Sequence, residues 1–151
     1  MRLDLTKRGD YAIRAMLALA HAPEGRLLSV RRIAGDMAIP RQFLPQVMLD
    51  LGRAGLVDAV AGRSGGYRLS RPAADITLLD VVEAAEGDSR RRTCILRGGP
   101  CSLDGICDVH DAFFSAQGAM LAALGQSTLA ELPQRRGGHL PAHDDGGDGS
   151  G

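Results

Sequence analysis

The sequence predicts a mostly α chain with one small β-hairpin, and three observations carry that expectation. Apolar residues recur at helical spacing in successive stretches from about residue 6 to residue 124. Two short strand-like runs, Leu56–Val60 and Tyr67–Leu69, are joined by the glycine-bearing link Ala61-Gly62-Arg63-Ser64-Gly65-Gly66. Finally, 44% of the residues are apolar, yet there is no Trp, with two Tyr and three Phe. The core must therefore come from Leu, Val, Ile, Met and Ala, which favours helices. A length of 151 residues suits one compact domain with an arm or tail.

Taken in order, Thr6 is placed to cap a helix running to about His21, with Tyr11, Ala12, Ala15, Met16 and Leu19 on its apolar face. Asp10 falls in its first turns, where a carboxylate complements the helix dipole. Ser29 begins a short second helix ending near Met37, and Ala38-Ile39-Pro40 makes a tight connection. A third helix is expected from about Arg41 to Gly52 or Ala54, with Phe43, Leu44, Val47, Met48 and Leu51 facing inward. This is a helix-turn-helix pattern, and the hairpin that follows makes it a winged helix-turn-helix.

Such a unit places Arg41, Gln42 and Gln46 near the N-terminal end of a helix suited to a major groove, where Arg pairs with guanine and Gln with adenine. Arg63 at the hairpin tip suits a minor groove. Together with Ser29, Ser64, Lys7 and Arg68, these are the candidate DNA contacts; Arg68 and Arg71 are equally well read as solvated charges. The charge distribution agrees with a polyanionic partner although the net charge is zero. Residues 1–71 hold twelve Arg and Lys against six Asp and Glu, and the remainder holds the reverse.

Pro72–Ile76 reads as a linker, and Thr77-Leu78-Leu79-Asp80 as a capping box opening a helix to Glu86 that Gly87 stops. After Arg90, Arg91 and Arg92 comes the loop holding every cysteine of the chain: Cys94, Cys101 and Cys107, separated by six and five residues, with Gly98, Gly99, Pro100 and Gly105 between them. No Cys-x-x-Cys is present, which argues against structural zinc. Three thiolates suit a soft metal or an iron-sulfur cluster, which wants a fourth ligand. Cys107, His110 and Asp111 are expected on one face of a long helix running to about Leu124. Val109, Phe113, Phe114, Met120, Leu121 and Leu124 give that helix more apolar surface than one small domain readily covers, so it is read as a dimerisation helix, with packing against its own winged helix as the alternative. A last helical turn at Thr128–Leu132 precedes a polar tail, 133–151, read as disordered, so His139 and His143 are read as solvated.

Charged residues break any signal-peptide core in the first 22 residues, and no stretch approaches a membrane span. The expected location is cytoplasmic, where reduced cysteines persist.

Gly9-Asp10-Tyr11-Ala12, Arg53-Ala54-Gly55-Leu56-Val57, Gly65-Gly66-Tyr67-Arg68-Leu69, the three cysteines and Thr128-Leu129-Ala130-Glu131-Leu132 occur here in an order that resembles the IscR/NsrR/RirA family of bacterial regulators, over about residues 1–132. The resemblance implies a homodimeric transcription factor whose partner is double-stranded operator DNA, with no membrane and no small-molecule substrate. It implies an iron-sulfur cluster (2Fe-2S or 4Fe-4S) on Cys94, Cys101 and Cys107, through which nitric oxide, iron status or redox state is sensed. His110 matches a fourth ligand used within one subunit, and Asp10 matches one contributed across the dimer; both stay open. The implied division is a DNA-binding unit at 1–87, a cluster loop at 88–107, a dimerisation helix and terminal turn at 108–132, and the tail. Two departures stand out. Pro45 occupies a position where IscR-like proteins carry a glutamate that takes part in DNA choice, and Ala61 occupies that of their wing arginine, two residues before Arg63. Catalysis is not expected. The rivals are a cluster-free thiol-redox regulator on the same fold and, remotely, a cysteine-dependent hydrolase.

Overall fold

The computed structural model describes residues 4–87 and 108–133; the cysteine loop, Arg90–Arg92 and the tail beyond Pro133 lie outside them. Helix α1 (Lys7–His21) is the hub, packed by the elements that follow it up to the hairpin and by the helix after the hairpin. Thr6 caps it by accepting from the Gly9 amide at 3.1 Å. The Thr6 amide itself donates to Glu86 Oε1 at 2.6 Å, a cap supplied by a residue eighty positions away. Gly9 makes room for that carboxylate, since a Cβ there would come within 2.5 Å of it.

Helix α2 (Val30–Met37) is capped by Ser29, whose hydroxyl accepts from the Arg32 amide. It stops at Ala38, which takes a left-handed conformation (φ 52°, ψ 46°) at a cost of about 1 kcal/mol for a residue with a side chain. Helix α3 (Leu44–Arg53) begins three residues later than the sequence suggested. Pro45 is the reason: proline lacks an N–H that the first turn cannot pair anyway, so it starts a helix but does not sit one turn inside it. Residues 41–43 form a turn closed by the Phe43 amide on the Pro40 carbonyl at 3.1 Å. Phe43, expected to face inward, is consequently 44% exposed, its ring stacked on Tyr11 with centroids 5.7 Å apart.

The hairpin pairs β1 (Val57–Val60) with β2 (Gly66–Leu69) in antiparallel register, Val57 opposite Leu69. On the other edge of β2, Leu28 and Tyr67 exchange backbone hydrogen bonds of 2.8 and 2.9 Å, tying the hairpin to the segment before α2. The linker holds a short 3-10 turn at Ala73–Asp75. The Thr77/Asp80 capping box then opens α4 (Leu78–Glu86), which ends at Gly87 as read. Helix α5 (His110–Gln126) packs on α4. Thr128 and Glu131 form a second capping box around the 3-10 turn Leu129–Glu131. That turn inserts Leu129 (1% exposed) into the core with Met16, Ile33, Leu44, Met48, Leu51, Leu56, Ile76 and Val81, and is held by Leu129 N–H on Ile76 O and Leu78 N–H on Ser127 O. The terminal turn is thus a working part of the core. The mostly α architecture with one hairpin is as the sequence predicts.

Candidate nucleic-acid interface and metal centre

Because α3 buries Leu44, Val47, Met48 and Leu51, its opposite side, with Pro45, Gln46, Leu49, Gly52 and Arg53, is exposed. Gln46 lies on the helix as expected, whereas Arg41 and Gln42 sit in the preceding turn, exposed at the helix start. Gln46 Nε2 donates to Asp50 Oδ1 at 3.1 Å, and the other Asp50 oxygen accepts from the Arg8 guanidinium on α1. This chain of contacts holds the Gln46 amide in one orientation and leaves its carbonyl oxygen and second N–H for a ligand. Neither Asp50 nor Arg8 was singled out from the sequence. The four-residue spacing of Gln46 and Asp50 was a usable signal; Arg8 reaches them only through tertiary packing.

At the hairpin tip Arg63 and Ser64 are exposed in the turn before β2. Arg68 stands opposite Asp58 across the strands, its Nε 3.9 Å from the carboxylate with both side chains about half exposed, so the pair holds it weakly. Arg71 is 3.6 Å from Asp80, and Lys7 is exposed in the first turn of α1. Ser29 has a structural duty as the α2 cap, with its hydroxyl proton left to donate.

The candidate metal ligands divide in two. Cys94, Cys101 and Cys107 lie outside the described residues. Of the face expected for Cys107, His110 and Asp111, only the last two fall within the described residues, in the first turn of α5, with Asp108 and Val109 in the turn before it. His110 is half-buried, its ring stacked nearly parallel on Phe114 at 5.8 Å. Asp10 is engaged in a way the sequence did not reveal. Arg14, only 3% exposed, donates Nε to Asp10 Oδ1 at 2.9 Å and Nη2 to Oδ2 at 3.0 Å, while its Nη1 donates to the Met37 carbonyl at 3.3 Å. A carboxylate held in this orientation fits as an oxygen ligand by its chemistry, and the His110 imidazole as a nitrogen ligand. Together with three thiolates, either would make a donor set whose chemistry suits iron. Among the described residues no helix is long and apolar enough to cross a membrane.

The chain is similar to known proteins over nearly the whole described length. It is 36% identical over 133 residues to protein aau3 of Rhizobium meliloti, covering 87% of this chain and 86% of that one. The fold matches B. subtilis CymR, the global cysteine regulator, with a TM-score of 0.72 at 24% identity, covering 85% of this chain and 94% of that one. It matches T. potens IscR with a TM-score of 0.69 at 24% identity, covering 89% and 95%. These likenesses establish the winged-helix architecture. Residues 5–135 match the family model described as Rrf2, iron-dependent transcriptional regulator, and the chain therefore belongs to the Rrf2 family of transcriptional regulators.

Proposed function

We propose that this protein is a homodimeric, cytoplasmic repressor or activator that binds operator DNA through α3 and the hairpin and senses nitric oxide, iron status or redox state through an iron-sulfur cluster. The observation that carries the reading is an exposed, oriented Gln46 beside Arg41 and Gln42 at the start of α3, in a chain whose family is iron-dependent and whose cysteines all fall between α4 and α5. Arg63 and Ser64 serve as wing contacts, Lys7 and Arg68 as phosphate contacts, and Ser29 donates at the start of α2. Residues 1–87 are the DNA-binding unit, 88–107 the cluster loop and 108–132 the dimerisation segment. Cys94, Cys101 and Cys107 hold the cluster, with the fourth ligand either His110 of the same chain or Asp10 of the partner. The cluster supplies a site that iron loss, oxidation or nitric oxide alters chemically; the protein's part is to orient the ligands and transmit their position to α1.

The test is absorbance with iron and sulfide analysis on protein purified without oxygen. Matched iron and sulfide are expected in the wild type, their loss in Cys101→Ala, and their loss or destabilisation in His110→Ala if that residue ligates. Colourless wild-type protein that cannot be reconstituted would replace the cluster with a thiol switch on the same cysteines.

The dimer reading is supported by α5, none of whose residues is buried within the chain although Phe113 and Phe114 are 37% and 46% exposed. Phe113→Asp is expected to shift the protein to monomer in sedimentation and to weaken operator binding at least tenfold, because two half-sites are no longer engaged together. An unchanged sedimentation coefficient would move the dimer contact elsewhere.

A further inference from the structure

The outward edge of α3 is unusual for a helix offered to DNA, because most of it is apolar. Gln46 and Leu49, three residues apart, are neighbours on the outward side of α3, and Phe43 at its N-cap stands three residues before Gln46, with Pro45 exposed beside them. Leu49 is 46% exposed and Phe43 44%, two of the few large apolar side chains in the described residues not covered by the fold. Leu49 packs into no core and stands exposed on the side opposite Leu44, Val47, Met48 and Leu51. Phe43 is braced from behind by Tyr11, so its ring is presented in a set position. Gln46, between them, is braced by Asp50 and through it by Arg8.

The surroundings of this edge specify its partner. Arg41 and Arg53 are exposed at its two ends, and Lys7 and Arg8 are exposed on the neighbouring helix, within the half of the chain that carries the excess of positive charge. An apolar strip framed by cations matches a groove whose walls are phosphate and whose floor bears methyl groups. In duplex DNA that floor is the major groove at thymine, where the C5-methyl projects; the adenine paired with it offers the N6 and N7 edge that an amide fits bidentately.

We propose that the Phe43–Gln46–Leu49 edge selects A·T pairs, with Leu49 and Phe43 packed against thymine methyl groups and the Gln46 amide on an adenine edge. This rests on α3 being the recognition helix. Asp50 is then a positioning residue for Gln46. Pro45 keeps the first turn of the helix short of donors and close to the bases.

The experiment uses the full-length protein. A bound sequence is selected from a random duplex library, and each thymine of its half-site is then replaced in turn by deoxyuridine, which removes the methyl group and leaves every hydrogen-bonding atom. At one or two positions the affinity is expected to fall about fourfold, the worth of burying one methyl group. In Leu49→Ala or Phe43→Ala the sensitivity at its own position should vanish, the thymine and uracil duplexes binding alike, while Arg41→Ala retains it. Leu49 is exposed, so its truncation leaves the fold intact even if Phe43→Ala disturbs the stack on Tyr11. Wild-type affinity indifferent to uracil at every position overturns the inference but leaves the recognition helix standing. Sensitivity that persists in both variants overturns it as well. Enrichment of no sequence at all removes the DNA reading and this inference together.

Discussion

Asp10→Ala is expected to destabilise the iron-free protein by about 3 kcal/mol, lowering its melting temperature by about 10 °C. The cause lies in Arg14, whose guanidinium is enclosed and donates to both Asp10 oxygens and to the Met37 carbonyl. Removing the carboxylate takes two charge-assisted hydrogen bonds and the counter-charge from a buried guanidinium, a far larger cost than losing a surface pair. The double variant Asp10→Ala, Arg14→Met should recover most of the loss, because replacing both members of a buried pair with apolar atoms is close to neutral. Thermal melts of the two proteins without iron decide it; a single variant that melts within a degree of the wild type would show that the pair is not what holds Arg14. The consequence for function is direct. Loss of a cluster in Asp10→Ala alone would not identify Asp10 as a ligand, since the first helix is weakened as well. The double variant, folded but lacking the carboxylate, is the protein on which the ligand question should be asked.

Gly66→Val is expected to cost at least about 3 kcal/mol and to abolish operator binding. Gly66 has a φ of 152°, and a Cβ there would stand 2.5 Å from the Leu28 carbonyl oxygen and 2.7 Å from its carbon. Both are backbone atoms of the Leu28 to Tyr67 bridge, so they cannot move aside without unpairing the hairpin from the segment that leads into α2. Gly62 provides the comparison. Its φ is 102°, but nothing lies within 4 Å of a Cβ, so Gly62→Ala carries backbone strain only, about 1 kcal/mol. Chemical denaturation of the two variants separates steric blockage from strain, and equal losses would contradict the account given for Gly66.

The candidate site was legible where function depends on residue type and local spacing. Three cysteines in one glycine-rich loop, amides and an arginine at the start of the third helix, and an arginine at the tip of the hairpin are visible as composition and pattern. What was missed lies in burial and in where helices start, which residue spacing alone does not fix. Arg14 read as one more charge breaking an apolar run, because no local pattern distinguishes a buried arginine from a solvated one. Phe43 read as core by periodicity, and Pro45 displaced the helix start and turned its ring outward. The long helix expected after Cys107 starts at His110, behind a turn at Asp108 and Val109.

By itself the sequence determined the order of elements, the caps at Thr6, Ser29 and Thr77, the hairpin and the family, since each follows from short-range chemistry read along the chain. Tertiary structure alone decided how they are joined. Glu86 caps the first helix from the end of the fourth, Arg8 steadies Gln46 through Asp50, Leu28 secures the hairpin, and Leu129 returns to fill the core. The long-range links among them join residues from 39 to 80 positions apart and depend on burial and approach distance, quantities that exist only once the chain has folded.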